Sequence, residues 1–443
     1  MPTSFRPYLP DQTLLLPPSL RDWLPEGHLA YFVSETIDAL DLKALYKCYD
    51  GDGRRNQPFD PRMMLKVLVY AYATGTFSSR KIARKLEEDV ALRVLGAQNF
   101  PAHRTIAEFR LQNLKEFENL FMQVVRIARE VGLVKLGTIA IDGTKIKANA
   151  SKHKAMSYGH MVKEEKRLQQ EIRDLTRRAN QQDLDEDGLY GAEFRGDELP
   201  AELSRREERL AKIKAARERL EARQVEEDRS AGRKPGDDEN RPEGKRGPDF
   251  KRKFGEVPDK KQENFTDSES RIMKTGNGFQ QCYNAQAAVD GHSQLIVAAE
   301  VTNNASDITR LIPMLDSVEA MVGGQCARVL ADAGYRSEVN LRTLEKRGID
   351  GYVALGREGK KVTASVGEGQ EATARMKRKL ATKKGDAHYR RRKYLAEAPF
   401  GWIKSCLGFR QFSLRGVAKV GAEWMLMGLA MNLRRMNGQM VRT

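Results

Sequence analysis

Apolar positions in the N-terminal part of the chain recur at the spacing of amphipathic helices. The stretch "DPRMMLKVLVYAYATG" places Pro61 near the start of a helix and Gly75 near its end. "SSRKIARKLEED" begins at two serines, which are good N-caps, and a further helix is predicted to begin at Thr105 as N-cap. Short helices joined by "VALRVLGAQNF" are compatible with a helix-turn-helix DNA-binding unit. A helical bundle with basic solvent faces is the alternative.

A second pattern, of charge-dense helices with sparse apolar positions, follows residue 154. Two narrow apolar stripes predict an antiparallel helical hairpin, and they comprise Leu168, Ile172 and Leu175 in one helix and Leu210, Ile213 and Leu220 in the other. The segment from Asp228 to Lys261 is rich in Gly, Pro and charges and is expected to be mobile.

One motif between these helices resembles a calcium loop. "DLDEDG", from Asp183 to Gly188, matches the opening of an EF-hand. The twelfth position of such a loop supplies a bidentate Glu, but here it is Phe194. An acidic turn is therefore favoured over a calcium site.

From residue 266 onward the pattern is that of alternating strands and helices. "GFQQCYNAQAAVDGHSQLIVAAEVT" predicts two strands joined by a turn at Asp290, and Asp307 is the expected N-cap of the next helix. The short apolar strand "ARVLAD" ends on Asp332, as the earlier strand "TIAID" ends on Asp142. A basic loop is predicted from residue 357 to 392, followed by a helical block that contains Glu397.

Charge then narrows the choice of partner. The net charge of +16 and the pI near 9.5 favour an anionic partner, with nucleic acid ahead of a membrane surface. No run of about 18 apolar residues occurs, so a membrane-spanning helix is not expected. The four cysteines are far apart in the sequence, which fits a reducing cytosol and excludes a CxxC zinc site.

Two strands that end in aspartate and a later helix that carries Glu397 suggest a shared task. The carboxyl ends of adjacent parallel strands open into one crevice. Carboxylates in close proximity raise one another's pKa unless a divalent metal neutralises them. Two metal ions about 3.5–4 Å apart activate a nucleophile and stabilise the leaving oxygen of a phosphodiester. Asp142, Asp332 and Glu397 are therefore candidate metal ligands.

Seven stretches together resemble the DDE transposases of bacterial insertion sequences, in particular a group with a long helical insert between the first two acidic residues. They are "DPRMMLKVLVYAYATGTFSSRKIA", "PAHRTIAEFR", "AIDGTKIKANAS", "TDSESRIMK", "YNAQAAVD", "VLADAGYRS" and "EAPFGWIK". The resemblance implies an RNase H-like catalytic core and strand cleavage and transfer at inverted-repeat ends. It implies a catalytic triad of Asp142, Asp332 and Glu397, with Mg²⁺ as cofactor and Mn²⁺ as a substitute.

Basic residues near the triad are the expected DNA contacts. Many relatives carry a Tyr, Arg, Glu, Lys pattern, in which Lys404 matches the last position, seven residues after Glu397. Lys404 is therefore expected beside the scissile phosphate. The expected backbone contacts are Lys145, Lys147, Arg391 and Arg392.

Each acidic residue also has a structural alternative. Asp142 would cap a turn, Asp332 would cap a helix, and Glu397 would be a solvated helix carboxylate near a helix start made uncertain by Pro399. Asp267 and Glu269 are expected on a linker surface.

The predicted fold class is α/β, with an RNase H-like core preceded by a helical N-terminal domain and interrupted by a charged helical hairpin. The predicted divisions are residues 1–128 for the helical domain, 129–154 for the first part of the core, 155–265 for the hairpin and linker, and 266–438 for the rest of the core. The expected partner is double-stranded DNA, bound by a homo-oligomer in the bacterial cytoplasm. The alternatives are a metal nuclease that does not join strands, a catalytically silent DNA-binding regulator, and an assembly protein.

Overall fold

The computed structural model describes residues 19–49, 57–190, 201–237, 252–356 and 369–440. Its N-terminal region is helical, with α1 Leu29–Asp38, α2 Lys43–Lys47, α3 Pro61–Ala73, α4 Ser79–Glu88, α5 Val90–Leu95, α6 His103–Gln112 and α7 Glu116–Glu130. The prediction for α3 is confirmed: Asp60 accepts hydrogen bonds from the backbone N–H groups of Arg62 and Met63, and Pro61 occupies the first helical position.

Two details of this helical region differ from prediction. Helix α6 begins at His103, so Thr105 lies inside the helix and is not its cap. The expected connection "VALRVL" is itself helix α5, because the Asp89 side chain accepts a hydrogen bond from the Leu92 N–H and starts a new helix directly after α4.

A six-stranded mixed sheet follows. Its strands are β1 Thr138–Lys147, β4 Arg271–Thr275, β5 Gly278–Asp290, β6 Ile296–Thr302, β7 Arg328–Ala331 and β8 Asp350–Val353. The order is β4-β5-β1-β7-β8, and β6 also pairs with β5. Strand β1 is antiparallel to β5 and parallel to β7, and β7 is parallel to β8. The predicted turn between β5 and β6 at Asp290 is confirmed.

Alternate residues of β1 face two different helical layers. Ile139 and Ile141 belong to the main apolar core, which also contains residues of α7, α10 (Leu311–Val322) and α14 (Val417–Met440). Ala140 faces the other way and packs with Leu395 of α13 (Lys383–Gly401). Helix α14 contacts both the N-terminal helices and β6, and thereby joins the helical region to the sheet. No helix in the described parts of the chain is long and apolar enough to cross a membrane.

The insert between β1 and β4 contains β2 Ala155–Ser157, α8 Tyr158–Tyr190, α9 Ala201–Ser230 and β3 Gln262–Asn264. Helices α8 and α9 pair as the predicted antiparallel hairpin, and Leu168, Ile213 and Leu220 are buried in a small core of their own. The predicted acidic turn is wrong, because the "DLDEDG" stretch lies within α8.

The described flanks of residues 228–261 form specific contacts, and the expected mobility of this segment stays a prediction. The buried Asp228 carboxylate accepts hydrogen bonds from the Gly255 N–H and the Arg252 guanidinium, and Lys261 pairs with Glu227. Residues 238–251 and Phe194 lie outside the described residues.

The C-terminal part is more helical than predicted. After α11 (Glu338–Lys346), the expected basic loop contains α12 (Glu371–Leu380) and the start of α13; its residues 357–368 lie outside the described ranges. Glu338 accepts hydrogen bonds from two N–H groups at the start of α12, and Thr382 caps α13. Pro399 lies inside α13, so Glu397 is not at a helix start.

Candidate active site

The seam between β1 and β7 opens at the position of two carboxylates. The parallel pairing of these strands ends at Ile141 opposite Ala331, and the next residue on each strand is an aspartate, Asp142 or Asp332. Strand β1 does not end there, contrary to prediction, because its antiparallel pairing with β5 continues to Lys147. The two aspartates therefore mark the point where one neighbour of β1 departs.

Asp332 also has a local structural role. Its side chain accepts a hydrogen bond of 2.8 Å from the Gly334 N–H and so caps the 3₁₀ turn Ala333–Tyr335. The remaining carboxylate oxygen is not used by this cap. The structural alternative and the functional interpretation of Asp332 are thus compatible.

Burial and mutual repulsion act on both aspartates. Burial raises the pKa of Asp142 to about 6, with a further increase from the charge of Asp332 and an opposing decrease from Arg392. Burial likewise raises the pKa of Asp332. Ionised, these groups form a negative site that is stabilised by a nearby cation.

Glu397 reaches this site through an arginine on the same helix. Arg392 is buried and places Nη1 at 3.3 Å from Asp142 Oδ2 and Nη2 at 3.5 Å from Glu397 Oε1. The guanidinium thus lies between the two carboxylates. Arg392, expected as a DNA backbone contact, instead faces the carboxylates, whereas Arg391 donates to the Tyr394 hydroxyl on the outer side of α13.

Two family models match the chain. The Transposase DDE domain matches residues 250–433, and the Transposase domain (DUF772) matches residues 18–112. The chain belongs to the DDE transposases. It is a polynucleotidyl transferase, and transposases of this family use divalent metal ions. No curated protein and no solved structure matches the chain.

The two matches cover different parts of the transposase. The DDE domain match includes Asp332 and Glu397 but begins after Asp142 and most of the insert. Asp142 is therefore assigned to the same site from the structure, because the pairing of β1 with β7 ends directly before Asp142 and Asp332. The second match covers helices α1 to α6, which places the family's N-terminal domain on the helical region.

Lys404 of the transposase lies on the crevice face of β1. It is in a π-helical turn, Trp402–Cys406, that extends α13. Its half-buried ammonium donates to the Thr144 hydroxyl and, at 3.0 Å, to the Lys145 carbonyl. Thr144 is two residues from Asp142 and shares its face of the strand. Burial lowers the pKa of Lys404.

Lys145 and Lys147 project from the opposite face of β1, as alternation along an unbroken strand predicts. Lys147 is exposed, whereas Lys145 lies 3.4 Å from Asp307 Oδ1. The predicted N-cap role of Asp307 is wrong, because α10 begins at Leu311 and the Asp307 side chain turns inward instead.

Asp307 is the site residue that sequence reasoning missed. Its Oδ1 accepts hydrogen bonds from Asn284 Nδ2 at 2.6 Å and Gln286 Nε2 at 2.8 Å. These amides come from β5, directly across from Lys145 and Gly143 of β1. In the sequence, the one feature that relates to this network is the glycine at position 143. A Cβ at this position would lie 2.8 Å from Asp307 Oδ1. The glycine makes room for this network and does not end the strand.

Asp267 is another acidic residue whose prediction fails. It is buried, not on a linker surface, and accepts a hydrogen bond from the Tyr283 hydroxyl at 2.8 Å. Glu269 accepts one from the Val417 N–H. Both groups fasten the start of α14 and lie outside the carboxylate crevice.

No group of three or more His, Cys, Asp or Glu side chains in the described residues has a geometry ready to hold a metal ion. The contacts of Arg392 supply the reason, since its guanidinium separates Asp142 from Glu397. Binding of a cation by all three carboxylates would require this arginine to move.

Proposed function

We propose that this transposase cleaves and transfers strands at the inverted-repeat ends of a bacterial insertion sequence, by two-metal phosphoryl transfer in an RNase H-like core. The observation that carries the proposal is the parting of β1 and β7 immediately before Asp142 and Asp332. Glu397 is linked to the same opening through Arg392. The sheet supports the RNase H-like core, because β5 pairs antiparallel with β4, β6 and β1, and the sheet then continues from β1 into the parallel strands β7 and β8.

The donor chemistry of the site fits a divalent metal. Asp142, Asp332 and Glu397 offer carboxylate oxygens, which Mg²⁺ prefers. A buried guanidinium between two of them supports a preference for positive charge at this position. We propose Mg²⁺, with Mn²⁺ as a substitute. When bound, the metal activates the attacking oxygen and stabilises the leaving oxygen.

The basic residues then divide by location. Lys404, held by Thr144 beside Asp142, is proposed to contact the phosphate next to the cleaved bond. Lys147 and Arg391 are proposed to contact the DNA backbone farther away, and Lys145 does so from the Asp307 side. Arg392 is proposed to leave the carboxylates and pair with a phosphate when metal and DNA bind. Two or more copies of the chain bring the element's ends together.

The test is a cleavage and joining assay with purified protein and duplexes taken from the DNA that flanks the gene. Magnesium-dependent nicking at the repeat end, followed by joining of that end to a second duplex, is expected. Asp332→Asn should abolish both products. Asp316→Asn, which changes an exposed carboxylate paired with Arg347, is the matched control and should retain activity.

Other outcomes of the assay would contradict the proposal. Cleavage without joined product would indicate a nuclease. Specific DNA binding with neither product, at any divalent metal concentration, would indicate a DNA-binding regulator.

A further inference from the structure

Asp307 lies at the junction of three chain segments that form the site. It is part of the connection between β6 and α10, and its carboxylate reaches β5, β1 and the turn after β7. Oδ1 is held by two amides and the Lys145 ammonium. No described residue donates a hydrogen bond to Oδ2.

The second oxygen faces the same small space as the Asp332 carboxylate. A methyl group placed on Gly334 would lie 3.0 Å from Asp332 Oδ1 and 3.3 Å from Asp307 Oδ2. The charge of Asp307 also contributes to the raised pKa of both Asp142 and Asp332. Three carboxylates therefore contribute to the negative potential at the end of the β1–β7 seam.

A buried tyrosine extends the network to the back of the turn that carries Asp332. Tyr335 is fully buried, and its hydroxyl donates to Gln286 Oε1, while the amide of the same Gln286 donates to Asp307. The residues around Asp307 thus connect β5 to the turn that orients Asp332. The two amide contacts hold the Asp307 carboxylate through Oδ1 and so fix the orientation of Oδ2.

We propose that Asp307 is a positioning residue of the catalytic site, whose fixed negative charge raises the affinity of the Asp142–Asp332 pair for a divalent cation. Lys145 moderates that charge. This inference rests on the proposed function, because it presumes that the aspartate pair binds the metal. Asp307 is not required to touch the metal or the DNA.

The variant that isolates the charge is Asp307→Asn. Asparagine retains a carbonyl oxygen that can accept from Asn284 and Gln286, so the network should persist without the negative charge. Mn²⁺ affinity of the full chain without DNA, measured by titration calorimetry, should fall roughly five- to twentyfold. Cleavage at saturating Mn²⁺ should recover to near the wild-type rate, because the charge acts through affinity.

Three controls make the outcome decisive. Asp316→Asn removes one exposed charge from α10 and should leave Mn²⁺ affinity unchanged. Asp332→Asn should remove most of the binding. If the wild-type chain binds no Mn²⁺ either alone or with an end-containing duplex, or if Asp332→Asn binds it normally, the proposed function fails. If only Asp307→Asn binds normally, the inference about Asp307 fails.

A second variant covers the case in which Asp307→Asn does not fold. Lys145→Met removes the cation that faces Asp307 and leaves the carboxylate charge uncompensated. Mn²⁺ affinity should then rise, opposite in sign to the effect of Asp307→Asn. Unchanged affinity in folded Lys145→Met would overturn the inference. A loss of cleavage in Asp307→Asn that saturating Mn²⁺ does not rescue would also overturn it.

Discussion

Two charge clusters in this transposase differ in burial and in hydrogen bonding. The carboxylate cluster (Asp142, Asp332 and Glu397) meets its arginine at 3.3 and 3.5 Å. The Glu423 cluster, composed of Tyr72, Arg110, Ser413 and Glu423, lies between the N-terminal helices and α14 and is saturated with hydrogen bonds. The difference separates the carboxylates proposed to serve catalysis from a carboxylate that stabilises the fold.

In the Glu423 cluster every oxygen of the glutamate has short partners. Glu423 is fully buried, and its Oε2 accepts from the backbone N–H groups of Ser413 at 2.9 Å and Leu414 at 3.0 Å. Its Oε1 accepts from the Tyr72 hydroxyl at 3.1 Å, which in turn accepts from Arg110 at 2.9 Å. A buried charge with this many hydrogen bonds destabilises the fold little, whereas removal of one of its partners is strongly destabilising. The carboxylate cluster lacks such saturation and so remains available to a ligand.

The largest expected effect is on catalysis. Asp142→Asn, Asp332→Asn and Glu397→Gln should each lower the cleavage rate about a thousandfold or more, because metal stabilisation of the transition state contributes several kcal/mol. The unfolding free energy of the metal-free chain should not fall by more than about 1 kcal/mol, and it should rise in Asp142→Asn at pH 7, because burial disfavours the ionised carboxylate. Single-turnover cleavage and chemical denaturation of the same preparations test this difference. Near-normal cleavage in any one variant would remove that residue from the site.

The second effect is on stability and should show the reverse pattern. Glu423→Gln leaves the buried Arg110 without its counter-charge and should destabilise the chain by about 3–5 kcal/mol. The control is Arg375→Met, which breaks an exposed pair with Glu345 and should cost at most about 1 kcal/mol. Urea denaturation measures both. Equal losses of unfolding free energy in the two variants would show that the hydrogen bonds of the Glu423 cluster do not add to stability.

A smaller effect separates the lysines on the two faces of β1. Lys404→Ala should lower the cleavage rate about 10- to 100-fold with little change in DNA affinity, as expected for a group beside the scissile phosphate. Lys147→Ala, on an exposed side chain, should mainly weaken DNA binding and reduce its salt dependence by about one counterion. Rates and affinities on one end-containing duplex test the contrast. Loss of affinity alone in Lys404→Ala would place that lysine elsewhere.

The last effect concerns the dependence of stability on pH. The pKa of Asp142, about 6, exceeds its ordinary value of 3.8, so the folded chain binds this proton more tightly than the unfolded chain. Its contribution favours folding at low pH and is lost as the pH rises from about 4 to 6, by at most about 2–3 kcal/mol. Denaturation of the metal-free wild type and Asp142→Asn at pH 4.5 and 7 should reveal a pH dependence that the variant lacks. Parallel curves would mean that Asp142 titrates normally.

The contrast between the clusters also explains what the sequence could and could not reveal. The cap at Asp60 and the approach of Asp142 to Asp332 follow from local signals, namely Pro61 and two short apolar strands. The continuation of β1 to Lys147 depends on its pairing with β5, more than a hundred residues away. No window of sequence contains both partners.

The misassigned acids have the same cause. Asp307 precedes a helix in the sequence, which is the signature of an N-cap, but its acceptor oxygen is held by amides of β5. Asp267 lies among polar residues typical of a linker, but the Tyr283 hydroxyl draws it into the interior. Glu423, directly before the apolar run 424–431 of its helix, gives no local sign that Tyr72 and Arg110 will contact it.

The small separate core of the insert has a consequence for how the chain folds. Strands β1 and β5 are neighbours in the sheet, yet the whole hairpin must be synthesised before they can pair. The entropy lost on closing a flexible loop increases with its length, by about 0.6 kcal/mol for each doubling. Because α8 and α9 bury Met161, Leu168 and Leu220 against each other, the hairpin can collapse first and bring the two strand ends close together. Although the insert lengthens the chain between β1 and β5, the folded hairpin keeps the loop that must close short. The two strands can therefore pair late in synthesis without a large decrease in folding rate.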